Sequence, residues 1–143
     1  MKILNGVKIA LLLIVLTEFN SCEAYYTDDY FRNSDAKLCG KLWERQYIVN
    51  DELCTHQLTF RITSKGGKGT EIFIYQRSDR YGKWEVPYSE RSYGFDWEWG
   101  DNQYEGIVID HSTDGILYFD NVWVRGYYLS GYLEGEEVTF RAN

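Results

Sequence analysis

The sequence predicts an all-β fold: an antiparallel barrel of eight strands, opened by a short N-terminal helical turn. Three observations predict it. Apolar and polar residues alternate with period two through most of the chain after Gly40. Clusters of turn-forming residues separate these stretches at spacings of roughly 8–12 residues. No segment after Gly40 carries the 3.6-residue period of an amphipathic helix.

The first twenty or so residues stand apart from that pattern. Lys2 and Lys8 precede an unbroken apolar run, Ile9 to Leu16, and a short polar stretch then leads to Cys22. This is the layout of a secretory signal: a charged start, an apolar centre and a small-residue exit. The run is far shorter than the roughly 20 residues of a membrane-spanning helix. Two cleavage sites fit. A lipoprotein peptidase cuts before Cys22, which then carries the acyl chains; an ordinary signal peptidase cuts after Ala24. Ser21 and the distance from the apolar run favour the first, giving residues 1–21 as signal peptide and Cys22 as the lipidation site. Residues 22–33 (CEAYYTDDYFRN) are polar and aromatic without period, and read as a tether. The expected domain is 34–143. It begins with one helical turn or two, with Asn33 or Ser34 as N-cap, Asp35 in the first turn and Gly40 in the left-handed position past the end.

Eight strands follow, at about 41–49, 55–63, 69–76, 83–88, 91–99, 104–111, 116–125 and 128–141, the last expected to break near Gly131 or Gly135. Leu58, Phe60 and Ile62 alternate with Thr59, Arg61 and Thr63. Tyr93, Phe95, Trp97 and Trp99 alternate with Gly94, Asp96, Glu98 and Gly100. Such β-branched and aromatic residues suit a pleated, half-buried surface. Lys65–Gly69 (KGGKG) reads as a hairpin loop, because it lacks P-loop spacing and no helix follows it. The lone proline, Pro87, suits an edge or a bulge. Eight antiparallel strands in so short a chain favour closure, which removes exposed strand edges. An interior of that size holds side chains or one small ligand.

Leu38, Gly40 and Trp43 (LCGKLW), placed after a helical turn and on the first strand, resemble the Gly-x-Trp opening of lipocalin-like proteins, with two residues between Gly40 and Trp43 where the family usually has one. The chain also resembles the short lipocalin-like lipoproteins of Bacteroides and its relatives, which tolerate loose lipoboxes. The shared features are the Leu-Cys…Trp opening, the Asp51–Cys54 segment, a Phe-x-Trp-x-Trp strand (Phe95, Trp97, Trp99) and a closing Leu-x-Gly-x-Leu-x-Gly run from Leu129 to Gly135. The resemblance covers about residues 36–142. It implies a calycin-type barrel on an envelope lipoprotein, and it implies no chemistry.

The charge of the whole chain is −7, and loss of Lys2, Lys8 and Glu18 with the signal takes it to −8. That excludes nucleic acid as a partner, since its binding rests on basic residues that neutralise phosphates. Attachment to an anionic bilayer by charge alone is excluded likewise; the membrane link expected is the lipid. With Cys22 on the anchor, Cys39 and Cys54 remain, either as a disulfide worth about 3 kcal/mol in the chain-entropy picture or as two free thiols. His56 and His111 are the only histidines, too few with two cysteines to suggest a zinc site, and no cofactor is expected.

No catalytic set emerges. Asp96 and Glu98 share a face, but they alternate with four aromatics and belong on the wet side. His56 follows Cys54 on one strand without a group to orient it. The aromatics are the remaining candidates: Trp43, Trp97 and Trp99, which read first as core, and Trp84, Trp123 and Tyr128, less tied to an inward pattern. They are the expected contacts of a small amphipathic ligand or glycan. The expected function is a non-catalytic, lipid-anchored, extracytoplasmic binding module. The alternative is a structural or partner-binding envelope lipoprotein whose barrel is filled.

Overall fold

In a computed structural model, residues 31–142 are described. The expected signal peptide (residues 1–21) and the expected lipidation site, Cys22, lie outside the described residues. Residues Arg32–Asn143 form one compact unit. It consists of α1 (Asp35–Leu38), β1 (Leu42–Val49), β2 (Glu52–Thr63), β3 (Gly66–Gln76), β4 (Ser89–Trp99), β5 (Ile107–Asp110), β6 (Ile116–Arg125), β7 (Tyr128–Leu133) and β8 (Glu136–Ala142), with a 3₁₀ turn at Ser112–Asp114. Every strand pairs antiparallel with the next and β8 returns to β1, closing an eight-stranded barrel of lipocalin-like type.

The strand count of eight stands, but two segments differ from the sequence reading. Residues 83–88 are not a strand. They belong to a long β3–β4 loop, touched by one isolated bridge, Ser78 to Trp84, and by the bonds Glu85 N–H to Arg77 O (2.9 Å) and Tyr88 N–H to Tyr75 O (3.1 Å). Residues 128–141 are two strands rather than one: the break expected near Gly131 or Gly135 falls at the latter, where Glu134 (φ 51°) and Gly135 (φ 81°) turn the chain back in two residues, while Gly131 lies inside β7. Asn50 (φ 50°) and Asp51 (φ 64°) do the same between β1 and β2. Positive φ at both central residues is the twist a two-residue hairpin needs.

Lys65–Gly69 is also not a loop, since Gly66 already opens β3. Its glycines make room for rings. A Cβ on Gly69 would sit 2.2 Å from the Phe95 ring and one on Gly67 2.4 Å from the Trp97 carbonyl oxygen. The strand gives up side chains there so that the aromatics of β4 can lie flat across it.

At the α1 end the barrel is packed solid. Phe60 meets Phe95 and Trp97 edge to face, at 5.5 and 5.6 Å between centroids. Trp43 is fully buried, and its indole N–H donates to Leu38 O at 2.9 Å. Ser34 caps α1 by accepting from Lys37 N–H (3.2 Å), and Gly40 follows at φ 77°, as the sequence predicts. Asn33, expected in the tether, is instead fully buried. It donates to Tyr104 O and Val122 O and accepts from Val124 N–H, at 2.6–2.7 Å. It thereby satisfies backbone groups of β6 and of the β4–β5 connection that lie beyond the end of the β5–β6 ladder at Phe119; β6 also carries a bulge between Asp120 and Trp123. The bulge also reverses side-chain parity: Phe119 points inward, and beyond it Val122 and Val124 do.

The expected Cys39–Cys54 disulfide is absent, and both cysteines are free thiols. Gly40 N–H bonds Phe60 O (3.2 Å), which places Cys39 beside the Phe60 end of β2. Cys54 lies six residues away on that strand, about 20 Å at the usual rise, whereas a bridge needs Cα atoms within about 7 Å.

The seam between β1 and β8 is short. Only Trp43–Ala142 and Glu44–Arg141 are paired. Above them the Arg45 side chain crosses the gap, with its guanidinium 5.3 Å from the Phe140 ring centroid and 4.6 Å from that of Tyr47.

Candidate functional site

The aromatic candidates do not converge. Trp43, Trp97 and Trp99 belong to the plugged end. There Trp97 donates to Lys68 O (3.0 Å), and Trp99 donates to Asp35 Oδ1 (2.7 Å) and stacks near Tyr104. Trp84 is half-exposed in the β3–β4 loop at the other end. Trp123 and Tyr128 lie on the outer wall. Trp123 is flanked by the Arg32 and Arg125 guanidinium groups at 5.2 and 3.7 Å, and Arg141 covers Tyr128 at 5.4 Å. Asp96 and Glu98 face water, as their parity requires, and Asp96 pairs with Lys68 at 2.6 Å. They border a shallow outer hollow of about 400 Å³ with Val108, Asp110 and Ile116.

The chemistry gathers instead at the open end, from residues on facing strands. Period two turns Arg45 and Tyr47 inward from β1, Cys54 and His56 from β2, and Glu71, Phe73 and Tyr75 from β3. His111 follows β5. The ladder puts His56 directly opposite Phe73, so their rings stack at 4.3 Å, 12° from parallel. Glu71 is buried and meets both histidines of the chain. Its Oε2 lies 2.7 Å from His56 Nε2 and its Oε1 3.0 Å from His111 Nε2. Arg45 Nε–H donates to His56 Nδ1 at 3.1 Å, so Nδ1 is the acceptor and Nε2 carries the proton given to Glu71. A row Arg45–His56–Glu71–His111 results, with the carboxylate held between two imidazoles. A buried carboxylate needs such donors, since an unpaired charge away from water is costly.

His56 Nε2 is protonated toward Glu71, and among the described residues no three His, Cys, Asp or Glu groups converge to hold an ion. Beside the row, Tyr47 and Tyr75 flank Cys54 across the ladder. Burial, with Cys54 as the next cause, raises both phenol pKa values above their ordinary range. At the plugged end, burial and then Asp35 raise that of the Cys39 thiol.

Above Glu71 and His111 the interior opens into a cup of about 330 Å³, lined by Glu71, Phe73, Tyr93, His111, Asp114 and Leu117. Tyr93 and Phe95 meet the His111 ring edge to face, at 6.4 and 5.7 Å. A second hollow of about 400 Å³ lies at the rim among Val49, Asn50, Glu52, Tyr75, Tyr88 and Arg91. The rim is pinned by Glu52, which accepts from the Tyr88 hydroxyl and from Arg77 Nε (3.3 Å).

Sequence reasoning missed Glu71 and Arg45 and set His56 aside, although a signal existed. Each shares the parity of inward-facing hydrophobic or aromatic neighbours: Glu71 with the partly buried Phe73 and Tyr75, His56 with the buried Leu58 and Phe60, Arg45 with the buried Trp43. A charged or titratable residue on the oily face of a strand is the informative exception.

Fold and site together define a lipocalin-like barrel, plugged at one end and cupped at the other, with a carboxylate–histidine row at the base of the cup. Comparison of the chain with protein families, with curated proteins and with solved structures finds no match.

Proposed function

We propose that this protein is a lipid-anchored, extracytoplasmic binding module without catalysis, which holds a small amphipathic molecule or sugar in the cup at the open end of its barrel. The observation that carries this reading is the division of the interior. One end is filled by its own rings, whereas the other keeps a hollow of about 330 Å³ with apolar walls and a few convergent polar groups, the usual make-up of a ligand site. The anchor rests on the signal-like N-terminus and Cys22; two acyl chains give stable membrane attachment where one is marginal. Acidic Glu23, Asp28 and Asp29 beside Cys22 fit display on an envelope face.

Two measurements test it. Mass spectrometry of the mature protein is expected to find an acylated Cys22 as its first residue; an unmodified chain starting after Ala24 removes the anchor. Native mass spectrometry of the protein from envelope extracts is expected to retain a small molecule, released when Tyr93→Trp fills the cup. Retention of none in any extract removes the ligand.

One observation favours a second reading, a partner-binding lipoprotein. Tyr81, Trp84 and Val86 project from the β3–β4 loop, at 79%, 37% and 84% exposure. A protein bound there protects this loop from proteolysis and leaves the cup empty.

A further inference from the structure

We propose that the cup selects for a planar ligand that bears an N–H or O–H donor and no negative charge, and that His111 Nδ1 is the atom that accepts this hydrogen bond. The inference rests on the reading of the cup as a binding site and adds the chemistry of what it takes.

The argument starts from hydrogen-bond bookkeeping. Arg45 fixes the His56 tautomer, and His56 in turn donates to Glu71. The remaining carboxylate oxygen of Glu71 accepts from His111 Nε2. An imidazole that donates through Nε2 presents a lone pair at Nδ1. That atom has no hydrogen-bond partner among the described residues, and the His111 side chain keeps 7% exposure. Both ring nitrogens of His56 and both carboxylate oxygens of Glu71 are occupied within the row. The row thus orients one acceptor, and His111 lines the cup. Carboxylate–histidine pairs fix a ring and its tautomer in this way wherever a protein needs one defined nitrogen.

Charge decides the rest. Neither arginine nor lysine lines the cup, while Glu71 and Asp114 do. Arg45 is turned the other way, toward His56 and the seam. An anion entering the cup meets two carboxylates with no cation to answer them. The walls are ring faces and edges from Phe73 and Tyr93, 6.3 Å apart and 72° from parallel, with Leu117 opposite. Such a pair grips a flat ring by stacking on one member and edge contact with the other.

The probes are indole, N-methylindole and indole-3-acetate, titrated into isotope-labelled protein and followed by NMR at the imidazole nitrogens and the Phe73 and Tyr93 rings. Indole is expected to bind, shifting His111 Nδ1. N-methylindole has the same shape without the donor and is expected to bind about tenfold more weakly, as one lost hydrogen bond implies; indole-3-acetate is expected to bind more weakly than indole. His111→Phe keeps a ring at the position and is expected to level indole with N-methylindole. His111→Gln, which offers a carbonyl acceptor, serves if the first variant folds poorly. Equal binding of indole and N-methylindole to the wild-type cup overturns the donor rule and leaves the cup a binding site. Tighter binding of indole-3-acetate overturns the charge rule. No shift at Phe73, Tyr93 or His111 with any probe up to its solubility overturns this inference together with the cup.

Discussion

Gly69 shows how much one absent side chain decides in this barrel. It lies opposite Phe95 on the ladder, and a methyl group there would enter the ring at 2.2 Å and crowd Thr59 O at 2.5 Å. Gly131 stands in the same relation to Phe119, at 2.5 Å. The sequence reading took Gly69 for turn chemistry, since glycine next to lysine is usually a loop. What it answers to is a ring on the neighbouring strand, and no single-strand pattern reports that. Gly69→Ala is expected to destabilise the fold by about 1–3 kcal/mol, the usual cost of overpacking a filled core. The urea midpoint of the variant measures it. The exposed Gly94→Ala, whose new methyl meets nothing within 4 Å, is the control and is expected to stay within about 0.5 kcal/mol. Cys39 and Cys54 make the opposite point. Spacing and the expected export allowed a bridge, but spacing says nothing of which end of a strand a residue reaches. Both thiols are expected to resist alkylation in the native protein, Cys54 because it is fully buried and the half-buried Cys39 through its raised pKa. Both are expected to react in denaturant, and reductant is expected to leave the melting temperature unchanged. A melting temperature that falls on reduction would contradict two free thiols.

Among the elements, the β3–β4 loop is where pattern and structure part. Trp84, Val86 and Tyr88 alternate with Lys83, Glu85 and Pro87, and the sequence reads the segment as a strand. Pro87 offers no N–H to a ladder, and the segment instead arches over the rim, tied down by Glu52. The Tyr88 hydroxyl first, then Arg77, hold the Glu52 carboxyl below its usual pKa. A carboxyl depressed in the folded state stabilises fully above its unfolded value, about 4.3, and the contribution fades as pH falls through the lower folded value. Wild type is therefore expected to be more stable than Glu52→Gln at neutral pH, and the difference is expected to shrink below about pH 4. Chemical denaturation at a series of pH values measures it; a gap that persists unchanged at pH 2 assigns the effect to packing. The Arg45–His56–Glu71–His111 row is likewise a property of paired elements. Four segments each supply one member, and their parity was legible where their meeting was not, because register between strands is written in neither strand alone.

For the whole molecule, period two and turn spacing carried the reading far: class, antiparallel order and closure follow from them, and the helical turn before Trp43 follows from its capping residues Ser34 and Gly40. The number of strands came out correct through two opposite departures, one strand too many at 83–88 and one too few at 128–141. The expected aromatic contacts were dispersed because rings fill a barrel wherever volume is needed, whereas a site depends on which few polar groups the closed interior admits. The plug made by Phe60, Phe95 and Trp97 also works as a gauge of length. From Glu71 to the last residue of β3, Gln76, the wall rises five residues, about 16 Å. A guest standing on that floor has no deeper shaft to enter, so a long acyl tail would trail into water, forfeiting about 0.8 kcal/mol for each methylene left wet. Under the proposed function, stubby, ring-sized molecules are expected to fit wholly within the wall, so that stature is sorted before any hydrogen bond is made.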